Sequence, residues 1–212
     1  MNILKQHFNG LLKKYTECEA LMHQLWSEIQ KHYSDSERHY HNLQHLGHIL
    51  KVILPVKDKI KNWDALLFTL YYHDIIYNPL KFDNEEKSAH FAVERLKRIG
   101  IPNETILKCN QQILATKSHA ISDSKDTNYF NDADLSILGQ NAQIYAIYCK
   151  SLRKEYAAYS DDTYRLGRRK VLLHFLQMQQ IFKTPYFFNQ FENSARTNLK
   201  AELQAINALS YN

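Results

Sequence analysis

Apolar residues recur at helical spacing along most of the chain. Between residues 4 and 31 Leu4, Phe8, Leu11, Leu12, Tyr15, Leu21, Leu25, Trp26 and Ile29 fall broadly on one face, which predicts one helix, or two with a break near Gly10. The polar segment SDSER at 34–38 offers N-cap residues for a helix from about Tyr40 to Val52, ended by Pro55. A third helix over 61–77 carries Trp63, Leu66, Leu67, Leu70 and Ile75 and stops at Asn78-Pro79. Asp83-Asn84-Glu85-Glu86 opens the next, with acids in the first turn where the helix dipole favours them, and Gly100 closes it. Pro102 begins another that ends near Thr116. Residues 117–131 are polar and without period, so they read as a mobile loop that partly covers a site. A short helix follows from Asp132 to Leu138, closed by Gly139. Then come Ala142–Ala158, with Ile144, Ile147, Tyr148, Leu152 and Tyr156 on its apolar side, Thr163–Phe182, and a C-terminal helix bearing Phe188, Phe191, Ala195, Leu199 and Ile206. With no repeat and no strand pattern, the expected fold is all-α: a single-domain helical bundle around one core.

Composition sharpens this picture. Only 5 Gly and 4 Pro in 212 residues favour helices over a turn-rich β fold. The apolar runs are too short to span a membrane. Lys5, Lys13 and Lys14 interrupt the N-terminal apolar residues, which reads as an amphipathic helix start and not a signal peptide. Cys18, Cys109 and Cys149, odd in number and far apart, suggest reduced thiols and a cytoplasmic protein. The net charge of +5 is dispersed, which suits a small anionic substrate and argues against nucleic acid as a partner. The oligomeric state is left open.

The candidate chemistry lies in histidines and carboxylates. His41 and His45 stand four apart, which on a helix puts both on one face. His73 and Asp74 are adjacent at the end of the apolar run 65–72 and together make a mixed N/O site for a divalent metal. Asp134 precedes Leu135 and Ile137 at a core edge, where an acid needs a cation or hydrogen-bond donors. Asp132 or Asp134 could instead cap the short helix. His119 ends ATKSH, between the two acidic motifs. Arg38, Arg153 and Arg168 are the candidate phosphate-binding cations, because the planar guanidinium matches phosphate; for Arg153 and Arg168 an ion pair with a helix acid is the competing role.

The order His45, His73-Asp74, Asp134 resembles the HD-domain metal-dependent phosphohydrolase superfamily over roughly residues 38–140, with the helices of 141–212 packed on that core. YHNLQH at 40–45 is similar to the YHNxxH of cyclic nucleotide phosphodiesterases in that superfamily. The chain as a whole looks closest to a bacterial group of predicted HD phosphohydrolases, through RHYHNLQH, HDIIY, DNEEKSA, ATKSH, DADLSILG, RKEY and GR. The resemblance implies a divalent metal (Mn, Fe, Co, Ni, Mg or Zn) on His45, His73, Asp74 and Asp134. It implies His41 as proton donor, Glu85 or Glu86 near the attacking water, and His119 in a second metal site. The phosphodiesterases' extra ligands after HD and their base-gripping glutamine have no counterpart here, so cyclic nucleotides are not implied. The expected activity is hydrolysis of a phosphomonoester or phosphodiester, nucleotide-like in kind. The alternative is a non-catalytic sensor that keeps the metal and binds a nucleotide.

Overall fold

The helical periodicity is realised as ten α-helices and two 3-10 segments, with no strand among the described residues, so the fold is all-α. The computed structural model describes residues 3–209; Met1 and Asn2, at the start of the predicted first helix, lie outside the described residues. No helix among them is long and apolar enough to cross a membrane. The chain divides into two compact units, Met1–Asn131 and Asp132–Asn212.

The first unit contains α1 (Ile3–Leu12), α2 (Glu19–Tyr33), α3 (Leu43–Ile53), a 3-10 segment (Leu54–Lys59), α4 (Trp63–Tyr72), α5 (Asn84–Ile99), α6 (Asn103–Ala115) and most of α7 (Lys125–Leu135). Its axis is α4. Every residue from Ala65 to Tyr72 is buried, and the helix meets α1, α3, α5 and α6. A helix apolar all round can only be stable when wrapped in this way. Phe8 of α1 packs edge-on against Tyr71, with ring centroids 4.7 Å apart, and the Tyr71 hydroxyl donates to the Leu4 carbonyl at 2.9 Å. Asn62 caps α4 by accepting from Ala65 N at 2.8 Å.

Several boundaries differ from the sequence expectation. Gly10 lies inside α1, and the break falls at 13–18, where the charged and polar run KKYTEC offers no apolar face. α3 begins at Leu43 because Asn42 caps it, so His41 precedes the helix. α4 ends at Tyr72, well before Asn78-Pro79. The predicted mobile loop 117–131 is corrected most strongly. Residues from Lys125 onward are helical, and those from Asp126 to Asn131 are all buried. The Asp126 carboxylate accepts from Lys61 N at 3.0 Å and Asn62 N at 2.8 Å, so the polar face of α7 turns inward to bond backbone and shows no hydrophobic period.

The second unit holds the end of α7, a 3-10 segment (Ser136–Gly139), α8 (Ala142–Glu155), α9 (Asp161–Gln177) and α10 (Pro185–Leu209). α9 stops five residues short of the expected Phe182. The connection is held by side chains: the Glu192 carboxylate accepts from Ile181 N at 3.0 Å and Phe182 N at 3.0 Å, and Arg196 donates to the carbonyls of Met178 and Gln179. The apolar side expected for α8 is also corrected. Leu152 is buried as expected, but Ile144 and Ile147 are exposed, and Tyr145 is buried in their place. Tyr145 and Tyr148 turn inward because their hydroxyls serve a buried pair, Arg168 and Glu202.

Gly139 touches α10. A Cβ there would stand 2.5 Å from Phe191 Cβ and 2.7 Å from the Phe191 carbonyl oxygen, so no other residue fits without moving the helix backbone. Gly139→Ala is expected to cost about 1–3 kcal/mol in denaturant unfolding, the usual cost of overpacking; an unchanged midpoint would show that α10 yields freely. Cys109, fully buried in α6, gives a pH test. Burial pushes its thiol from 9.0 up to about 12, against a smaller opposing effect of its hydrogen bond with Thr69. Below pH 9 the thiol is neutral in both states and its contribution is complete. Above 9 the unfolded chain ionises first, so stability falls as pH rises towards 12, by at most ~1.4 kcal/mol per unit from this group. Unfolding midpoints measured from pH 8 to 11 should fall less steeply for Cys109→Ala than for the unaltered chain.

Candidate metal centre

The centre is built where α4 ends. His73 caps the helix, donating its backbone N–H to Thr69 O at 2.9 Å. The next residue leaves the helix: Asp74 N donates to the Tyr33 hydroxyl at 3.2 Å instead of to Leu70 O. The Leu70 carbonyl accepts from His73 Nδ1 at 3.1 Å. A carbonyl can only accept, so this bond puts hydrogen on Nδ1 and leaves the Nε2 lone pair facing away from α4.

His45 arrives from α3. Asn42 accepts from Gln44 N at 2.8 Å, and its amide nitrogen donates to Arg38 O at 3.3 Å and His39 O at 3.2 Å. This cap starts α3 so that His45 lies in its first turn. His45 Nε2 stands 3.3 Å from His73 Nε2 and 3.7 Å from Asp74 Oδ2, and the latter two atoms are 3.0 Å apart. Both imidazoles have 1% of their side-chain surface exposed, and the carboxylate 17%. A point equidistant from the three donor atoms lies about 1.9 Å from each, close to the ~2.0–2.2 Å of metal–N and metal–O bonds. Converging lone pairs repel unless a positive charge stands between them, and His45, His73 and Asp74 could hold a metal ion. The edge of Phe130 closes on His73, with ring centroids 5.3 Å apart.

His41 stands beside the group without sharing a helix with His45. The bend before Asn42 brings its ring to 5.7 Å from that of His45, and Tyr77 stacks on it at 4.2 Å and 28°. Of the two glutamates in the first turn of α5, Glu86 is exposed and ion-paired with Lys117, which holds its carboxyl below the usual range; Glu85 is half-buried. His119 follows α6 with φ 50°, in the left-handed region, and its N–H donates to Ala115 O at 3.1 Å. It lies outside the group of His45, His73 and Asp74. Arg38 is buried; it donates to the carbonyls of His41 at 3.3 Å, Asp74 at 2.7 Å and Ile75 at 2.9 Å.

The rest of the HDIIY turn is pinned by Ser88 and Asn84, both in the DNEEKSA segment. The Ser88 hydroxyl accepts from Ile76 N and donates to Ile76 O, both at 3.1 Å. Asn84 accepts from Asn78 N at 3.0 Å and donates to Asn78 O at 2.9 Å. Tyr33 and Tyr77 were missed as site residues. The signal was a tyrosine four places after His73, which on its own reads as one of 14 dispersed tyrosines.

The remaining predicted residues belong to the second unit. Asp134 is half-buried in the last turn of α7. Asp132 does not cap the short helix: inside α7, it accepts from Lys183 N at 2.8 Å and from Thr184 N and Oγ1, each at 2.7 Å. Burial raises its carboxyl above the usual range, and these bonds oppose the shift. The two arginines hold acids, not an open phosphate site. Arg153 pairs with Asp161 at 2.6 Å, donates to the carbonyls of Tyr156 and Tyr159, and lies over the Tyr164 ring. Arg168 forms a two-pronged pair with Glu202, at 2.8 and 2.9 Å, and is buried. Comparison with family models, with curated proteins and with solved structures finds no match for this chain.

Proposed function

We propose that the chain is a metal-dependent phosphohydrolase acting on a small phosphomonoester or phosphodiester, nucleotide-like in kind. The observation that carries this reading is the convergence of His45 Nε2, His73 Nε2 and Asp74 Oδ2 at metal-binding distances, with the His41 ring held beside them. The resemblance of RHYHNLQH and HDIIY to HD phosphohydrolases supplies the reaction class. When bound on these three residues, a divalent cation (Mn, Fe, Co, Ni, Mg or Zn) supplies Lewis acidity towards water and the phosphoryl oxygens. Asp134, the fourth ligand that the sequence suggests, stands in the second unit, and the proposal rests on the three ligands of the first.

The chain's own residues do the rest. Buried imidazoles keep bulk water from the ligand atoms and strengthen their field. Stacking on Tyr77 holds the His41 ring, which as imidazolium gives its ring proton to the departing oxygen. Glu85, half-buried at the start of α5, is the glutamate available to orient the attacking water, because Glu86 is engaged by Lys117.

Protein purified without chelator is expected to carry about one divalent metal per chain and to hydrolyse some member of a phosphomonoester and phosphodiester panel. Metal without turnover on any of them would favour a nucleotide-binding sensor. His73→Ala and Asp74→Ala should each lose the metal by elemental analysis; unchanged content in both would overturn the ligand assignment. His41→Ala should keep the metal and the fold but lower turnover by roughly 10²–10⁴-fold. That deficit should shrink for nitrophenyl esters, whose leaving group departs without a proton. Loss of metal in His41→Ala would make it a ligand, and full activity on a poor leaving group would make it structural.

A further inference from the structure

We infer that Arg38 is a positioning residue for the metal centre, its guanidinium fixing the Asp74 carboxylate and the His41 ring by holding the carbonyl oxygens of His41, Asp74 and Ile75. The inference rests on the metal-binding reading of His45, His73 and Asp74. The sequence suggests Arg38 as a phosphate ligand, because an arginine beside a histidine cluster suits an anion. Its surroundings give it another task. The side chain is buried, and both terminal nitrogens of the guanidinium are directed at main-chain oxygens, at 2.7, 2.9 and 3.3 Å. The rings of Tyr33 and Tyr77 flank it, at 5.0 and 5.6 Å from its central carbon.

Those oxygens have a need that only a donor of this shape meets. α4 has ended, so the Asp74 and Ile75 carbonyls lie beyond its hydrogen-bond ladder, and a buried carbonyl without a donor is costly. The planar fork of an arginine reaches two consecutive carbonyls and a third on another segment from two separate nitrogens; an ammonium has a single nitrogen from which to reach them. Arg38 also belongs to the segment that Asn42 ties to the start of α3, through Arg38 O. One residue thus joins the segment that launches His45 to the turn that carries His73 and Asp74. One of these rings links it to His41: Tyr77 stacks on that imidazole and lies against the guanidinium.

The test is Co²⁺ titration of the metal-free full chain, followed by its visible d–d absorption, with Arg38→Met and Arg38→Lys beside the unaltered protein. The unaltered chain should bind Co²⁺. Arg38→Met should bind it about 10–100-fold more weakly, the usual loss when an outer partner of a metal ligand is removed, with a shifted spectrum. Arg38→Lys should fall between, since an ammonium still reaches part of the carbonyl set. Thermal unfolding of each metal-free variant runs in parallel. Lowered melting temperature with unchanged Co²⁺ affinity and spectrum would overturn the inference by making Arg38 purely structural. Unchanged Co²⁺ binding with loss only of inhibition by inorganic phosphate would overturn it in favour of a phosphate ligand. Absence of Co²⁺ binding by the unaltered chain would instead overturn the metal reading itself, and this inference with it. If Arg38→Met does not fold, Arg38→Lys decides: affinity and spectrum equal to the unaltered chain count against the role.

Discussion

A helix that ends inside a protein must find new donors for its last carbonyls and for those of the turn that follows, and the first unit is arranged around that requirement at the end of α4. The helix is buried over its whole length after the first turn, so water is not the general solution. The His73 ring takes Leu70 O, Arg38 takes Asp74 O and Ile75 O, and Ser88 takes Ile76 O. Each bond has a second effect. The first sets the tautomer of His73, the second fixes the residue bearing the carboxylate, and the third ties the turn to α5. The same backbone bonds fix the segments on which His73 and Asp74 stand, and with His45 they bring three donor atoms that could hold a metal ion to within 3.7 Å of one another.

The second unit solves a similar problem with charge. Asp132 and Glu192 together receive the backbone N–H groups of four consecutive residues, Ile181 to Thr184, between α9 and α10. Arg168 and Glu202 meet in the interior with two tyrosine hydroxyls at hand. Such a pair recovers its desolvation only with good geometry and further hydrogen bonds, both present here, and removing one partner strands the other at a cost of about 3–5 kcal/mol. Arg168 looks functional in a sequence because a guanidinium suits phosphate, and in this unit it joins Glu202 and Tyr145 to hold α8, α9 and α10 to one another.

What could be read from the sequence follows from this. α5 and α6 were legible because propensity, acidic first turns and Gly100 agree with the hydrophobic period, and φ 79° at Gly100 is the left-handed position that glycine fills without strain. α7 was illegible for a physical reason: its buried face carries Asp126, Asn128 and Asn131 among its apolar residues, and the first two turn inward to hydrogen-bond the backbone of Lys61, Asn62 and Ser122, so the polar residues mask the apolar stripe. α8 misled for the converse reason, since its isoleucines face solvent while tyrosines take the interior. His45, His73 and Asp74 were found through motif and residue chemistry, yet their meeting point depends on where α3 and α4 begin and end. Those boundaries are set by Asn42 and Tyr33, side chains that periodicity does not weigh. For Arg153 and Arg168 the competing ion-pair role is the one the structure shows, while Arg38 meets main-chain oxygens; a guanidinium suits phosphate, carboxylate and carbonyl alike, and only the fold says which it meets.

Asn42 uses both ends of its amide: the oxygen receives a backbone N–H of α3, while the nitrogen gives hydrogens to Arg38 O and His39 O. By capping preference alone, aspartate is its equal. Aspartate has the same shape and no hydrogen to give, so it would begin the helix and let go of the preceding turn. Deamidation, the slow spontaneous conversion of asparagine to aspartate and isoaspartate, would remove the same donor without any change in the gene. Chemical ageing at this one amide would therefore separate a well-formed helix from a well-placed His41.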